Sequence, residues 1–143
     1  MDVKSMLDVK GRDVLTIGPD AAVKDAAIVL RDNHIGAVIV VDGDGRLAGI
    51  LSERDIVVAL PRYGAGLGDV PVSEVMTADV ITCNLSVTVQ QVLDVMVAHG
   101  FRHLPVVEDG TLRGVISLRD VVGNFFGAIP EAVASSGSGG GMA

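Results

Sequence analysis

The apolar positions of this chain fall into two series with the same order. Val14-Leu-Thr-Ile17 precedes the turn Gly18-Pro19-Asp20, a helical stripe of Val23, Ala26, Ala27 and Leu30, and an unbroken apolar run over 37–41. Val80-Ile-Thr-Cys83, the turn Asn84-Leu-Ser86, the stripe Val89, Val92, Leu93 and Met96, and the run over 104–107 repeat it. Spacing by three and four predicts amphipathic helices, and runs without polar alternation suit strands buried on both faces. Asp20 is expected to cap the first helix; Asn33-His34 and His99-Gly100 should end the two. The hairpin sequences Asp42-Gly-Asp-Gly45 and Glu108-Asp-Gly110 then lead into strands over 47–51 and 112–116, paired antiparallel with those before them. Residues 52–60 and 117–126 return to a helical pattern. Each copy therefore reads β-α-β-β-α, an α+β arrangement.

Flanking segments complete the layout. Val3, Met6, Leu7 and Lys10 suggest a short lead-in helix ending at Gly11, and Val72-Ser-Glu-Val-Met76 is a weaker echo of it. Between the copies, residues 61–71 carry Gly64, Gly66, Gly68 and Pro71 and read as an exposed, mobile connector. The Ser/Gly-rich end reads as disordered. The expected divisions are 1–60 for the first repeat with its lead-in, 61–71 for the connector, 72–127 for the second repeat and 128–143 for a flexible tail. A copy of about 60 residues is marginal alone, so the two should pack on each other.

Composition narrows the partners. Of 143 residues, 49% are apolar but only 3% aromatic, so the core must be aliphatic and no aromatic platform can stack bases. A net charge of −7 repels phosphate backbones and anionic lipid surfaces, which argues against nucleic acid or membrane as the main partner. Cys83 is the only cysteine, so no internal disulfide can form. With neither a secretory leader nor an apolar membrane span, the expected location is the cytoplasm.

The two copies share one polar feature where the apolar pattern stops. Ser52-Glu-Arg-Asp55 and Ser117-Leu-Arg-Asp120 each follow a strand and open a helix. Ser-x-x-Asp is close to a capping box, which by itself contributes about 0.5–2 kcal/mol of helix capping. Such a helix start also presents free N–H groups and a positive dipole end to a phosphate, and a carboxylate there can accept two bonds from a ribose diol. Capping does not require the arginine that recurs in both copies. Arg54 and Arg119 could instead pair with surface acids.

With its flanks, the motif resembles the cystathionine-β-synthase-type (CBS) domain, here as a tandem pair over about 1–127. Gly-Ile-Leu-Ser-Glu-Arg-Asp55, Gly-Val-Ile-Ser-Leu-Arg-Asp120, His34-Ile-Gly-Ala, Ser-Glu-Val-Met-Thr77 and Phe-Arg-His-Leu-Pro-Val106 carry the likeness, which extends to stand-alone bacterial members. The resemblance implies two repeats packed sheet to sheet about a pseudo-twofold axis, with clefts for adenosine nucleotides. It implies that Asp55 and Asp120 hold ribose hydroxyls, with Ser52 and Ser117 near ribose or phosphate. Adenine would lie against Thr16 and Ala37 in one copy and against Thr82 and Pro105 in the other. Arg102 and His103 stand where the first copy has Gly36 and Ala37, so Asp55, Arg102, His103 and Arg119 are expected to form the more anion-avid cleft. His103 could instead pack in an interface. His34 and His99 are explained by their helix ends.

No nucleophile elbow, Gly-rich phosphate loop with Lys, or His-Glu-x-x-His helix is present, and the single Cys with three His shows no metal-ligand spacing. The expectation is a non-enzyme without catalytic residues, metal or obligatory cofactor. It would be an energy-sensing regulatory module that binds AMP, ADP, ATP or NAD(H), or S-adenosylmethionine, and signals by a change of shape or association to an unidentified regulated protein. A homodimer is expected through Ile56, Val57, Leu60, Val121, Val122 and Phe125. The alternative is a dimeric interaction scaffold with vestigial clefts.

Overall fold

The computed structural model describes residues 1–126; the expected tail at 128–143 lies outside them. The elements are α1 (Val3–Lys10), β1 (Thr16–Ile17), α2 (Val23–Asn33), β2 (Ala37–Val41), β3 (Leu47–Ser52), α3 (Glu53–Tyr63), a 3-10 turn (Gly64–Asp69), α4 (Val72–Val75), α5 (Val89–His99), β4 (His103–Glu108), β5 (Thr111–Ser117) and α6 (Leu118–Phe126). Helices alternate with two small sheets, β1-β2-β3 and β4-β5, giving the α+β class the repeat pattern implies. The chain divides into two compact units that exchange their lead-in segments. Among the described residues, one holds 14–80 with 110–112 and the other holds 1–13, 81–109 and 113–126.

In the first-repeat unit β1 runs parallel to β2 and β2 antiparallel to β3, a register that sets Ala37 opposite Ser52. Ala26 and Leu30 of α2 bury against Val38, Val40 and Leu51, and Val72 of α4 completes that cluster. Residues just ahead of the second repeat therefore belong to the core of the first. Their backbone is sewn in as well: Val72 N donates to Ala21 O at 2.8 Å, and Ile50 and Thr77 exchange bonds of 2.9 and 2.8 Å. Gly49 permits this approach, since a Cβ there would stand 2.6 Å from the Thr77 carbonyl oxygen.

The second-repeat unit packs Val89, Val92 and Met96 of α5 on Leu104, Val106, Ile116 and Val121. Val3, Met6 and Leu7 of α1 fill the rest of this core, although α1 precedes the first repeat in sequence. The helix starts where Asp2 accepts from Ser5 N at 2.8 Å, and Val3 N and Lys4 N donate to Val87 O and Leu85 O. The β4-β5 hairpin turns at Asp109-Gly110, both at positive φ as a two-residue primed turn requires.

Several local expectations change. Asp20 does not cap α2; Ala22 is the N-cap and makes no side-chain bond. The stronger cap lies on α5, where Thr88 and Gln91 close a capping box. The strand expected at 80–83 is a single parallel bridge, with Cys83 bonded to Pro105 O and Val107 N. Ile81 and Thr82 stay exposed, so no buried face supports a longer ladder. In the first repeat the expected four-residue strand shortens to β1. Nor is the segment over 61–71 a loose connector: α3 continues through Pro61 to Tyr63, Leu67 is buried, and Lys24 pairs with Asp69 at 3.0 Å. One apolar anchor is enough to dock a Gly-rich turn. Val121, expected on a dimer face, is fully buried in the core instead, and the side chain of Phe125 lies outside the described residues.

Candidate ligand-binding sites

Both Ser-x-x-Asp motifs fold into reciprocal capping boxes. Ser52 N donates to Asp55 Oδ2 at 2.9 Å and Asp55 N to Ser52 Oγ at 3.1 Å; the corresponding distances for Ser117 and Asp120 are 2.8 and 3.1 Å. Each box opens a helix straight from a strand, and the start of the preceding strand braces that junction. Glu53 N donates to Gly36 O at 2.9 Å, and Leu118 N to Arg102 O at 2.8 Å. The chain before β2 or β4 is thereby fixed against the motif.

The boxes differ in what else reaches the carboxylate. Asp55 Oδ1 accepts from the Thr77 hydroxyl at 3.1 Å, whereas Asp120 Oδ2 forms an ion pair with Lys10. Lys10 also donates to Val115 O at 2.9 Å, so its ammonium is held by two acceptors. Burial by itself would raise the Asp120 carboxyl, but the bonds from Lys10 and Ser117 hold it below the ordinary value. His103, half-buried beside this pair, is pushed down by burial first, then by the Lys10 and Arg102 charges, with Asp120 opposing. A carboxylate offers about four lone-pair sites, so two bonds leave each Asp capacity for the two hydroxyls of a diol.

The expected site residues divide between the units. Ala37, Ser52 and Asp55 gather at one junction, with Thr16 further along the sheet opposite Ile39. Arg102, His103, Ser117 and Asp120 gather at the other. Pro105 is buried in β4, where its carbonyl receives Cys83 N. Arg54 and Arg119 are exposed and make no hydrogen bond or ion pair among the described residues. Of the residues expected to form the more anion-avid site, Asp55 lies in one unit and Arg102, His103 and Arg119 in the other.

Thr16 and Thr82 each line a shallow open depression, of about 430 and 400 Å³ respectively. Neither depression includes a Ser-x-x-Asp pair. The second contains Cys83, whose thiol burial pushes up to about 11. Sequence reasoning missed Thr77 and Lys10 as partners of the two carboxylates. Both sit in lead-in segments, and no spacing along the chain ties them to the motif.

Residues 7–62 and 72–127 each match the CBS domain. The chain belongs to the CBS-domain family. It is 31% identical over 122 residues to the CBS domain-containing protein YhcV of Bacillus subtilis, covering 85% of this chain and 86% of that one. The crystal structure of the CBS-domain protein ATU1752 from Agrobacterium tumefaciens superposes with a TM-score of 0.80 at 44% identity, over 88% of this chain and all of that one. The CBS domain pair of protein MJ0100, solved in complex with 5-methylthioadenosine and S-adenosyl-L-methionine, has a TM-score of 0.75 and 27% identity, over 89% of this chain and 97% of that one. The chain spans only 65% and 61% of the lengths of two further curated relatives. The tandem CBS pair is a regulatory module. Among the described residues, no helix is long and apolar enough to cross a membrane.

Proposed function

We propose that this CBS pair binds an adenosine-containing small molecule, AMP, ADP, ATP or NAD(H), with S-adenosylmethionine as a further candidate, and reports it by a change of conformation or association. The observation that carries this reading is the strand-to-helix junction bearing a half-buried carboxylate with spare acceptor capacity, present in both repeats. A ribose diol matches that acceptor, and the adenosine compounds bound to the MJ0100 pair are chemically of this class. Thr16, Ala37, Thr82 and Pro105 are the proposed aliphatic and small walls for adenine. Arg54, Arg102, His103 and Arg119 are the proposed contacts for phosphate, with Ser52 and Ser117 near ribose or phosphate.

Thermal unfolding with AMP, ATP, NADH and S-adenosylmethionine tests the reading. A ligand at 100 times its Kd stabilises by about 2.7 kcal/mol, a midpoint shift of about 5 °C or more for a chain of this size. The shift should vanish in the Asp55→Ala, Asp120→Ala double variant. No shift with any of the four rejects the nucleotide reading.

A second reading, a dimeric interaction scaffold, draws on α3. Val57, Val58 and Leu60 of that helix are 67%, 68% and 53% exposed, an apolar stripe suited to a second copy of the chain. Val57→Glu with Leu60→Glu should yield a monomer by sedimentation; an unchanged mass rejects α3 as the contact.

A further inference from the structure

The second-repeat carboxylate already holds a cation supplied by the chain itself. Lys10, the last residue of α1, is held by Asp120 Oδ2 and Val115 O, and its side chain is 30% exposed while that of Asp120 is 22% exposed. At the first-repeat motif the carboxylate instead receives a neutral hydroxyl, from Thr77, on Oδ1 rather than on the Oδ2 that the capping box uses. A hydroxyl that donates one bond is readily exchanged for a ribose hydroxyl. An ammonium partly shielded from water lowers the acceptor strength of the carboxylate and occupies space beside it.

On the strength of the nucleotide reading above, we infer that Lys10 is a specificity-determining residue. It competes with a ribose diol for Asp120 and leaves Asp55 as the preferred diol acceptor. Lys10 takes up acceptor capacity on Asp120 Oδ2 and the space beside it, so a diol at Asp120 draws the Lys10 ammonium away from its two acceptors. Ligand at that site and the docking of the end of α1 are therefore coupled. A plain tether for α1 would not need this contact, because Val3, Met6 and Leu7 are buried at 0%, 6% and 0% exposure and already fix the helix. Those anchors also leave the fold in place when Lys10 is changed.

The test uses the full chain carrying Asp55→Ala, which leaves Asp120 as the acceptor, titrated calorimetrically with AMP and with NADH. Adding Lys10→Met should raise affinity about fivefold, the scale of one partly exposed ion pair. Lys10→Arg keeps the charge and should leave affinity unchanged, and adding Asp120→Ala to the Lys10→Met variant should abolish the gain. Binding in the Asp55→Ala chain that Lys10→Met does not alter overturns the role of Lys10 and leaves the nucleotide reading standing. Binding by neither the wild type nor any variant overturns the nucleotide reading, and the role of Lys10 falls with it.

Discussion

The two repeats carry the same motif in the same backbone geometry, yet their carboxylates stand in different electrostatic settings. Asp55 meets the Thr77 hydroxyl and Asp120 meets the Lys10 ammonium. The capping box is local, joining residues three positions apart, so duplication preserves it. The fourth neighbour comes from a lead-in segment distant in sequence, and the two lead-ins differ in length and composition. A repeat can thus conserve a motif's scaffold while its surroundings give each copy a different electrostatic setting.

The sharpest way to break the symmetry is to remove the lead-in anchors. Leu7 is fully buried in the second-repeat unit, and Leu7→Ala should cost about 3 kcal/mol in urea unfolding. Val72→Ala, its counterpart in the first-repeat unit, deletes fewer methyl groups and should cost about 2 kcal/mol. Equal losses of under 0.5 kcal/mol would mean that the lead-ins contribute little to either core.

The glycines beneath the lead-ins sharpen the contrast. A Cβ at Gly49 meets the Thr77 carbonyl oxygen at 2.6 Å, a backbone atom bonded to Ile50 N, and Gly49→Ala should cost about 2 kcal/mol. At Gly114 the obstacle is the pair of Leu7 methyls at 2.9 Å, side-chain ends that can shift within the core where a backbone atom cannot, so Gly114→Ala should cost less, about 1 kcal/mol. The same equilibrium unfolding curves decide the order, and a reversed ranking would contradict the packing described.

Smaller effects follow from charge. The folded-state carboxyl of Asp120 lies below its unfolded value of 3.8, so its pairing stabilises the protein above that value and is lost as pH falls through the folded one. Lys10→Met should therefore destabilise by about 0.5–1 kcal/mol at neutral pH, discounted for partial exposure, and by less once the pH has fallen through the folded-state value, where only the bond to Val115 O remains. Thr77→Val removes no charge, so its cost should not vary with pH through the Lys10–Asp120 term. His103 works in a different window. Its folded value lies below 6.5, so the unfolded chain binds the proton more readily and stability falls as pH drops from about 6.5 toward the folded value. His103→Gln should flatten that part of the pH profile, and an unaltered slope would show that His103 does not titrate as its burial implies.

Much was legible in the sequence because it is local or periodic. The helical stripes became α2 and α5, the apolar runs became β2 and β4, and the Ser-x-x-Asp spacing closed both boxes. Asp20 failed as a cap because the N-cap position falls at Ala22, two residues further along the chain. The 80–83 strand shrank to one bridge because extended sequence makes a strand only where a partner edge and a burying face are both offered. The dimer face expected at Val121 was misread because periodicity marks an apolar side chain without saying which neighbour covers it.

By itself the sequence determined the duplication, the β-α-β-β-α order and the residues that open α3 and α6, since all of these depend on interactions within a few residues or on the burial period of one element. The tertiary structure alone decided that each lead-in completes the core of the other repeat, and with it that Thr77 reaches Asp55 while Lys10 reaches Asp120. Those contacts join residues 22 and 110 positions apart. Apolar burial sets such distances through the chain's packing, and no spacing rule along the chain encodes them.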